Sequence, residues 1–213
     1  MAQSRAISLD GNSLTTQQVL LVVHQPRVRV KVSPVALRRM RRSERLLDDS
    51  LTRRIIYGVN TGFGPMASHI IGRDDLVQLQ YNLIRSHAGG IGDPIDPDHV
   101  LATMIIRLNT IAKGYSGASE KVAQQLERFI NARITPIIPE HGAVGTSGDL
   151  VQLAHIALSL IGEGDVMYQG KRMATDTAMK REKIRPLVLK PKEGLTLING
   201  TAGMTGIAAI ICE

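Results

Sequence analysis

Three glycines, a threonine and a serine lie together in residues 142–149, GAVGTSGD, immediately before an amphipathic segment. A loop of this composition could bind an anion through backbone N–H groups at a helix N-terminus, or present a serine nucleophile on a sharp turn. A purely structural explanation is that Ser147 or Asp149 caps the following helix while the glycines form the turn.

Spacing argues against three of the chemical possibilities. The P-loop pattern G-x-x-x-x-G-K-[ST] is absent, and the loop contains no lysine. A nucleophile elbow, G-x-S-x-G, fails because Gly148 directly follows Ser147. Metal binding is weakly supported, since His141 and His155 are too far apart for a helical pair and no cysteine lies nearby.

The order Thr146-Ser147-Gly148 permits one further reaction. In a tight turn the amide nitrogen of Gly148 can attack the carbonyl carbon of Thr146, because glycine has no Cβ to shield its amide. Loss of water from the ring and from the Ser147 side chain leaves a 4-methylidene-imidazol-5-one (MIO). This alkene is electrophilic, and the helix dipole favours the negative charge it gains on addition. A cap and a self-formed electrophile both remain open on these grounds.

Composition places the chain among soluble globular proteins. The 213 residues are 43% hydrophobic and 21% charged, and Cys212 is the single cysteine. One cysteine excludes an internal disulfide framework and is typical of a reducing compartment. The N-terminus lacks a secretory pattern, and no apolar run approaches the roughly 20 residues of a membrane span. We therefore expect a cytoplasmic protein with no membrane partner.

The net charge of +7 raises the possibility of nucleic-acid binding. Most of the basic residues lie in 37–54, LRRMRRSERLLDDSLTRR, where apolar residues form an approximate helical stripe. The chain has two phenylalanines, four tyrosines and no tryptophan, so bases would find few rings to stack on. A solvated helix face is favoured, and no nucleic-acid partner is expected.

The pattern of elements predicts a mainly α fold with a few short β-strands. RVRVKV alternates as a strand with Val28, Val30 and Val32 inward, and Ser33-Pro34 is typical of a helix start. Loops or extended segments are predicted at 55–65 and 135–141, and a hairpin turning at Gln169-Gly170 at 165–173. Helices are predicted at 34–54, 73–90, 96–114, 119–134 and 149–162, with an apolar, helix-like segment at 193–213 around an Asn-Gly.

The last residues, TGIAAIICE, form an apolar run without a helix-ending signal. Because domains usually end on polar surface residues, we expect this chain to be the N-terminal piece of a longer polypeptide.

The stretch GAVGTSGDLVQLAHIALSLIGEG resembles the signature of the MIO-dependent aromatic amino acid lyases, which comprise histidine, tyrosine and phenylalanine ammonia-lyases and related aminomutases. Three further motifs match in order: YGVNTGFGPM at 57–66, LQYNLIRSHAGGIGDP at 79–94 and LINGTAGMTG at 197–206. The resemblance implies that residues 1–213 are the N-terminal MIO domain and the start of the central helical region of the fumarase/aspartase-like architecture. The family's C-terminal helical bundle would be absent.

The resemblance also implies roles for single residues. Tyr57 would remove the substrate's β-proton, and Gly64 would approach the substrate through its backbone. Asn199 would hold the electrophile's oxygen or the substrate amine, and Asp149 would assist ring closure. Each has a plain structural alternative: Tyr57 as a surface loop residue, Gly64 as a turn glycine, Asn199 as a left-handed turn residue and Asp149 as a first-turn helix acid.

Ser86-His87 corresponds to the family's substrate-selectivity pair and is the pattern expected of histidine ammonia-lyases. His87 could otherwise be a structural residue near a helix end. Two departures point elsewhere: Ala202 stands where histidine lyases usually carry glutamine, and Thr146 replaces the commoner alanine of the ring-forming triad. Substrate preference is therefore open between histidine and tyrosine.

The function that the resemblance implies is non-oxidative elimination of ammonia from an aromatic L-amino acid, with histidine to urocanate first and tyrosine to p-coumarate next. MIO formed from Thr146, Ser147 and Gly148 would be the electrophile, and no metal or external cofactor is expected. The full-length form would be a homotetramer, so a fragment of this length is expected to be inactive alone. The alternatives are an aminomutase that makes a β-amino acid and a non-catalytic helical binding fragment without a ring.

Overall fold

A computed structural model describes residues 6–51, 53–145 and 148–212 of the chain. Its first unit is a parallel strand pair, β1 Ala6–Leu9 and β2 Arg29–Val32, connected through helix α1 Thr16–His24. Val28, Val30 and Val32 are buried, as the alternation of the sequence predicts. The two four-residue strands pack against the helical core, where β2 contacts the helix at 120–132 and both strands contact the helix at 97–112.

Helix α2, Pro34–Leu51, begins as the Ser-Pro dipeptide predicts. The Ser33 hydroxyl accepts a hydrogen bond from the Ala36 amide at 3.1 Å, which satisfies a free N–H of the first turn. Met40 is buried, while the arginines lie mostly on exposed or half-buried faces. The basic segment is therefore a helix with one apolar stripe.

Four helices form the centre of the molecule: α3 Leu76–His87, α4 Pro97–Ala112, α5 Glu120–Ala132 and α6 Leu150–Leu160. Helix α4 packs against α1, α2, α5 and the last helix of the chain, so it is buried on most of its surface. An apolar helix surrounded in this way is expected to hold the core together. Its buried apolar residues include Leu101, Met104, Ile105 and Leu108.

Short strands connect the helices. Strand β3, Ile91–Pro94, pairs with β5, Pro139–His141, and β4, Thr135–Pro136, pairs with β6, Asp165–Tyr168. β6 and β7, Lys171–Ala174, form the predicted hairpin, with positive φ at both Gln169 and Gly170 as its two-residue turn requires.

Three helices complete the chain: α7 Thr175–Arg181, α8 Glu193–Ile198 and α9 Ala202–Ile211. Helix α9 packs closely on α4, since a Cβ at Gly206 would lie 2.6 Å from the Thr103 amide nitrogen. Asn199 and Gly200 lie between α8 and α9, so the predicted helix-like segment at 193–213 is divided into two helices at its Asn-Gly.

The mainly α prediction is confirmed, and the five helices predicted between residues 34 and 162 agree with α2 to α6 within a few residues. The strands β1 and β3 and the helices α1 and α7 were not predicted, although Thr15 and Gln18 form a capping box at the start of α1. Among the residues described, no helix has both the length and the apolar character needed to cross a membrane.

Core burial gives a direct test of the packing. Ile105 is fully buried in α4, whereas Ile55 is 66% exposed in a loop. Ile105→Ala is expected to lower the free energy of unfolding by about 2–5 kcal/mol, because it leaves a cavity among packed neighbours. The matched change Ile55→Ala should cost about 0.5 kcal/mol or less. Denaturant unfolding measures both, and equal losses would contradict the assignment of α4 to the core.

Candidate functional site

Gly148 meets Gly200 at the start of α6. The two residues form a parallel bridge, and the φ of Gly148 is +92°, a conformation that favours glycine. A Cβ at Gly148 would also overlap the carbonyl oxygen of Gly200. Gly148 is therefore required twice, for its backbone conformation and for this close approach. Thr146 and Ser147, the other two residues of the predicted ring, lie outside the described residues.

Asp149 is the N-cap residue of α6, but its side chain makes no capping hydrogen bond. Its amide donates to the Gly200 carbonyl at 2.8 Å, and its carboxylate accepts from the Met204 amide at 2.9 Å. The negative charge thus lies at the first turn of α9, where the helix dipole favours it. Of the structural alternative that Ser147 or Asp149 caps α6, the part on the Asp149 side chain is wrong, because its carboxylate binds the start of α9 instead.

Asn199 ends α8 in an extended conformation, with φ −86° and ψ 113°. The structural alternative of a left-handed turn residue is therefore wrong: Gly200, with φ +155°, makes the change of direction. The Asn199 residue is exposed, and its main-chain carbonyl accepts a hydrogen bond from Arg107 at 2.8 Å. The side chain is accessible to a ligand, while the hydrogen bond from Arg107 holds the main chain.

Arg107 was not identified from the sequence. It lies in α4 with 3% of its surface exposed, and burial lowers its pKa to about 10. Its guanidinium also donates to the Thr196 carbonyl. A charged residue inside the apolar run MIIRLNTI is the signal that could have revealed it, because a buried arginine needs acceptors to offset its desolvation.

Ser86 and His87 lie at the C-terminal end of α3. His87 Nδ1 is 2.8 Å from the Leu83 carbonyl, and the Ser86 hydroxyl donates to the same oxygen at 3.1 Å. Because a carbonyl only accepts, this contact requires a hydrogen on Nδ1. In the neutral imidazole Nε2 is then an acceptor.

One cavity of about 410 Å³ brings several predicted residues together. Ser86 and His87 line it from α3, Gly148 and Leu150 line it from the start of α6, and residues 142–144 complete the wall. Its volume lies in the range of small-molecule sites. Ser86, His87 and Gly148, which are distant in sequence, therefore share one open space.

Tyr57 and Gly64 lie in another loop. The Gly64 amide donates to the Tyr57 hydroxyl oxygen at 3.1 Å, and the Tyr57 ring meets Phe63 edge-on with centroids 6.4 Å apart. A Cβ at Gly58 would lie 2.9 Å from Leu195, so this loop packs on α8, four residues before Asn199. Tyr57 is 60% exposed and is not among the described residues that line the cavity of His87.

Within the described ranges, no three His, Cys, Asp or Glu side chains lie close enough to hold a metal ion.

Comparison with known proteins is consistent across sequence and structure. A family model described as "Aromatic amino acid lyase" matches residues 14–213. A histidine ammonia-lyase of Geobacillus thermodenitrificans is 45% identical over 205 residues, which are 96% of this chain and 40% of that protein. The chain thus spans about 40% of the length of this relative.

Solved structures have the same fold. Ergothionase from Treponema denticola superposes with a TM-score of 0.92 at 30% identity, over 97% of this chain and 41% of its own. Tyrosine aminomutase from Streptomyces globisporus gives 0.89 at 38% identity, over 97% of this chain and 39% of its own.

The contact of Gly148 with Gly200 can be tested against a matched glycine. Gly145 also has a positive φ, of +71°, but nothing lies within 4 Å of a Cβ placed there. Gly145→Ala is expected to cost about 1 kcal/mol of unfolding free energy from backbone strain alone. Gly148→Ala adds the overlap with the Gly200 carbonyl and should cost about 1–3 kcal/mol more. Denaturant unfolding measures the difference, and equal costs would show that the two segments do not meet.

Proposed function

Because the chain belongs to the aromatic amino acid lyase family, we propose that it carries the ring-forming part of an ammonia-lyase whose substrate is histidine. The observation that carries the proposal is the shared cavity of Ser86, His87 and Gly148. The reaction would release ammonia without oxidation and give urocanate. The choice of histidine is supported by two relatives that are histidine ammonia-lyases, each matched over 40% of its length.

The residues present fit a methylidene-imidazolone made from Thr146, Ser147 and Gly148. Gly148 occupies a cradle that a Cβ would fill, and its positive φ is one that a tight turn needs. The group would supply an electrophile for the substrate amine, which natural side chains lack. Its place before α6 puts it at a helix N-terminus, where developing negative charge is favoured. No external cofactor or metal would be needed.

His87 is proposed to recognise the substrate ring. With Nδ1 bound to the Leu83 carbonyl, neutral Nε2 can accept a hydrogen bond from the N–H of a substrate imidazole. The same nitrogen could accept from the hydroxyl of tyrosine, so tyrosine is the second candidate substrate. Ser86, beside it at 3.2 Å, would help to fix the imidazole.

Tyr57 is proposed as the base that takes the substrate's β-proton. The Gly64 amide fixes its hydroxyl within a loop that packs on α8, and Gly64 would also meet the substrate through its backbone. Asn199, at the end of the same helix, would hold the substrate amine or the ring oxygen. Asp149 would assist ring closure, and its amide is hydrogen-bonded to the Gly200 carbonyl.

A second candidate is an aminomutase that returns the ammonia to the β-carbon. The structural likeness to tyrosine aminomutase, with a TM-score of 0.89, supports it. The same residues would act, so the product decides between the two: an unsaturated acid for a lyase and a β-amino acid for an aminomutase. A third, non-catalytic candidate is a helical binding fragment in which no ring forms.

The proposed activity belongs to a protein that also contains the family segments not matched by this chain. As in the sequence-based expectation, residues 1–213 would form the MIO domain, and the active form would be a cytoplasmic homotetramer acting on a small-molecule amino acid. This chain alone is expected to be inactive, because it spans about 40% of its histidine ammonia-lyase relatives.

Two neighbouring substitutions test the ring in the full-length protein. Ser147→Ala removes the hydroxyl lost in forming the alkene, so it should restore the unmodified mass and lower turnover by about a thousandfold or more. Thr146→Ala is the matched control, because the ring needs only the backbone carbonyl of that residue, and it should keep both the loss of two waters and the activity. Intact mass spectrometry measures the ring, and ultraviolet absorbance measures product from histidine, tyrosine and phenylalanine.

An unmodified mass in an active wild-type protein would disprove the role of the ring. No product from any of the three amino acids would disprove the lyase, and a β-amino acid as the main product would favour the aminomutase.

A further inference from the structure

Arg107 is a buried cation whose acceptors are main-chain oxygens. In the part of the chain that the structure describes, its guanidinium donates to the carbonyls of Thr196 and Asn199, and its Nε has no partner. Lys192 lines the same cavity of about 240 Å³ and brings a second positive charge near it. Burying an arginine beside a like charge is unfavourable unless its hydrogen bonds fix something that the fold needs.

The carbonyls that Arg107 binds are those at the end of α8. Thr196 lies in the last turn of this helix, and Asn199 directly follows Ile198. The last carbonyls of a helix have no partner within the helix and carry partial negative charge, so a cation there satisfies both needs. One guanidinium nitrogen donates to both oxygens. Arg107 therefore fixes where α8 stops and where the chain turns toward Gly200.

The guanidinium also lies against Gly200 itself. A Cβ at Gly200 would overlap the Nη1 atom of Arg107, so the planar group packs directly on the backbone of that residue. On its other side Gly200 meets Gly148, and its carbonyl accepts from the Asp149 amide at 2.8 Å. The segment Asn199–Gly200 is thus held between Arg107 and the loop that begins α6.

We infer that Arg107 is a positioning residue that holds the segment Asn199–Gly200 against Gly148 and Asp149. Its importance for catalysis rests on the proposed function, in which Asn199 and the ring from Gly148 must keep a fixed separation. In this role Arg107 acts through the carbonyls of Thr196 and Asn199 and through its contact with Gly200.

Amide hydrogen exchange tests this inference on the chain as it exists. Arg107→Met keeps an apolar stem but removes the donors, so the amides of Asp149 and of residues 199–204 should exchange about tenfold faster or more. Arg107→Lys keeps the charge and should restore most of the protection, though not the flat contact with Gly200. Should Arg107→Met fail to fold, Arg107→Gln replaces it, with a smaller acceleration expected at the same amides because the shorter, neutral side chain keeps one donor group.

Arg133→Met is the matched control. Arg133 is another partly buried arginine that donates to main-chain carbonyls, those of Val22, Val23 and Gln25, far along the chain from Gly148. Its loss should raise exchange near residues 22–28 and leave Asp149 protected as in the wild type. Faster exchange at Asp149 in both arginine variants would reduce the effect to general destabilisation and overturn the inference.

Unchanged exchange at Asp149 in Arg107→Met would overturn it too. The measurement needs no ring, so failure of the proposed function is seen separately: a full-length wild-type protein that never loses two waters would refute the ring and leave the exchange result to decide on Arg107.

Discussion

The approach of Gly148 to Gly200 is the constraint on which the rest of the site depends. A Cβ at Gly148 would overlap the Gly200 carbonyl, so the two backbones can come this close only because residue 148 is glycine. The same carbonyl accepts the Asp149 amide, which fixes where α6 begins. Asp149 then reaches the first turn of α9 through Met204. The contact of Gly148 with Gly200 therefore sets the position of α6 relative to α9, and of Asn199, which directly precedes Gly200.

The proposed chemistry divides into two parts around this contact. On one side, Ser86 and His87 face Gly148 across a cavity of about 410 Å³, where a substrate ring would be recognised. On the other side, the loop of Tyr57 packs on α8, and α8 ends at Asn199. Buried in the core, Arg107 donates hydrogen bonds to the carbonyls of Thr196 and Asn199 at the end of α8. The position of Asn199 therefore depends on a buried charge.

Local signals in the sequence predicted most of the helices and the hairpin at Gln169-Gly170. The alternation of Val28, Val30 and Val32 also predicted the face of β2 that is buried. Strand β1 escaped prediction because a four-residue strand is stabilised by its partner, and pairing across 23 positions leaves no local signature. Periodicity likewise predicted a helix-like segment at 193–213, but it could not show that the chain is extended at Asn199 and divides there into two helices.

The candidate site was predicted unevenly for the same reason. Motifs named Ser86, His87 and Gly148, and the fold brings these three to one cavity. The partner of Asp149 could not be predicted, since it lies 55 residues away in α9 and depends on the Gly200 turn. The apolar run around Arg107 indicates that this residue is buried, but its acceptors are backbone carbonyls, which the sequence cannot identify.

The most direct test of this account is an NMR measurement of the scalar coupling across the hydrogen bond from the Asp149 amide nitrogen to the Gly200 carbonyl carbon, in isotopically labelled chain. The account predicts a resolved coupling between these two nuclei, since the donor and acceptor are 2.8 Å apart. A missing coupling, together with an Asp149 amide that exchanges as fast as one in an open loop, would contradict it.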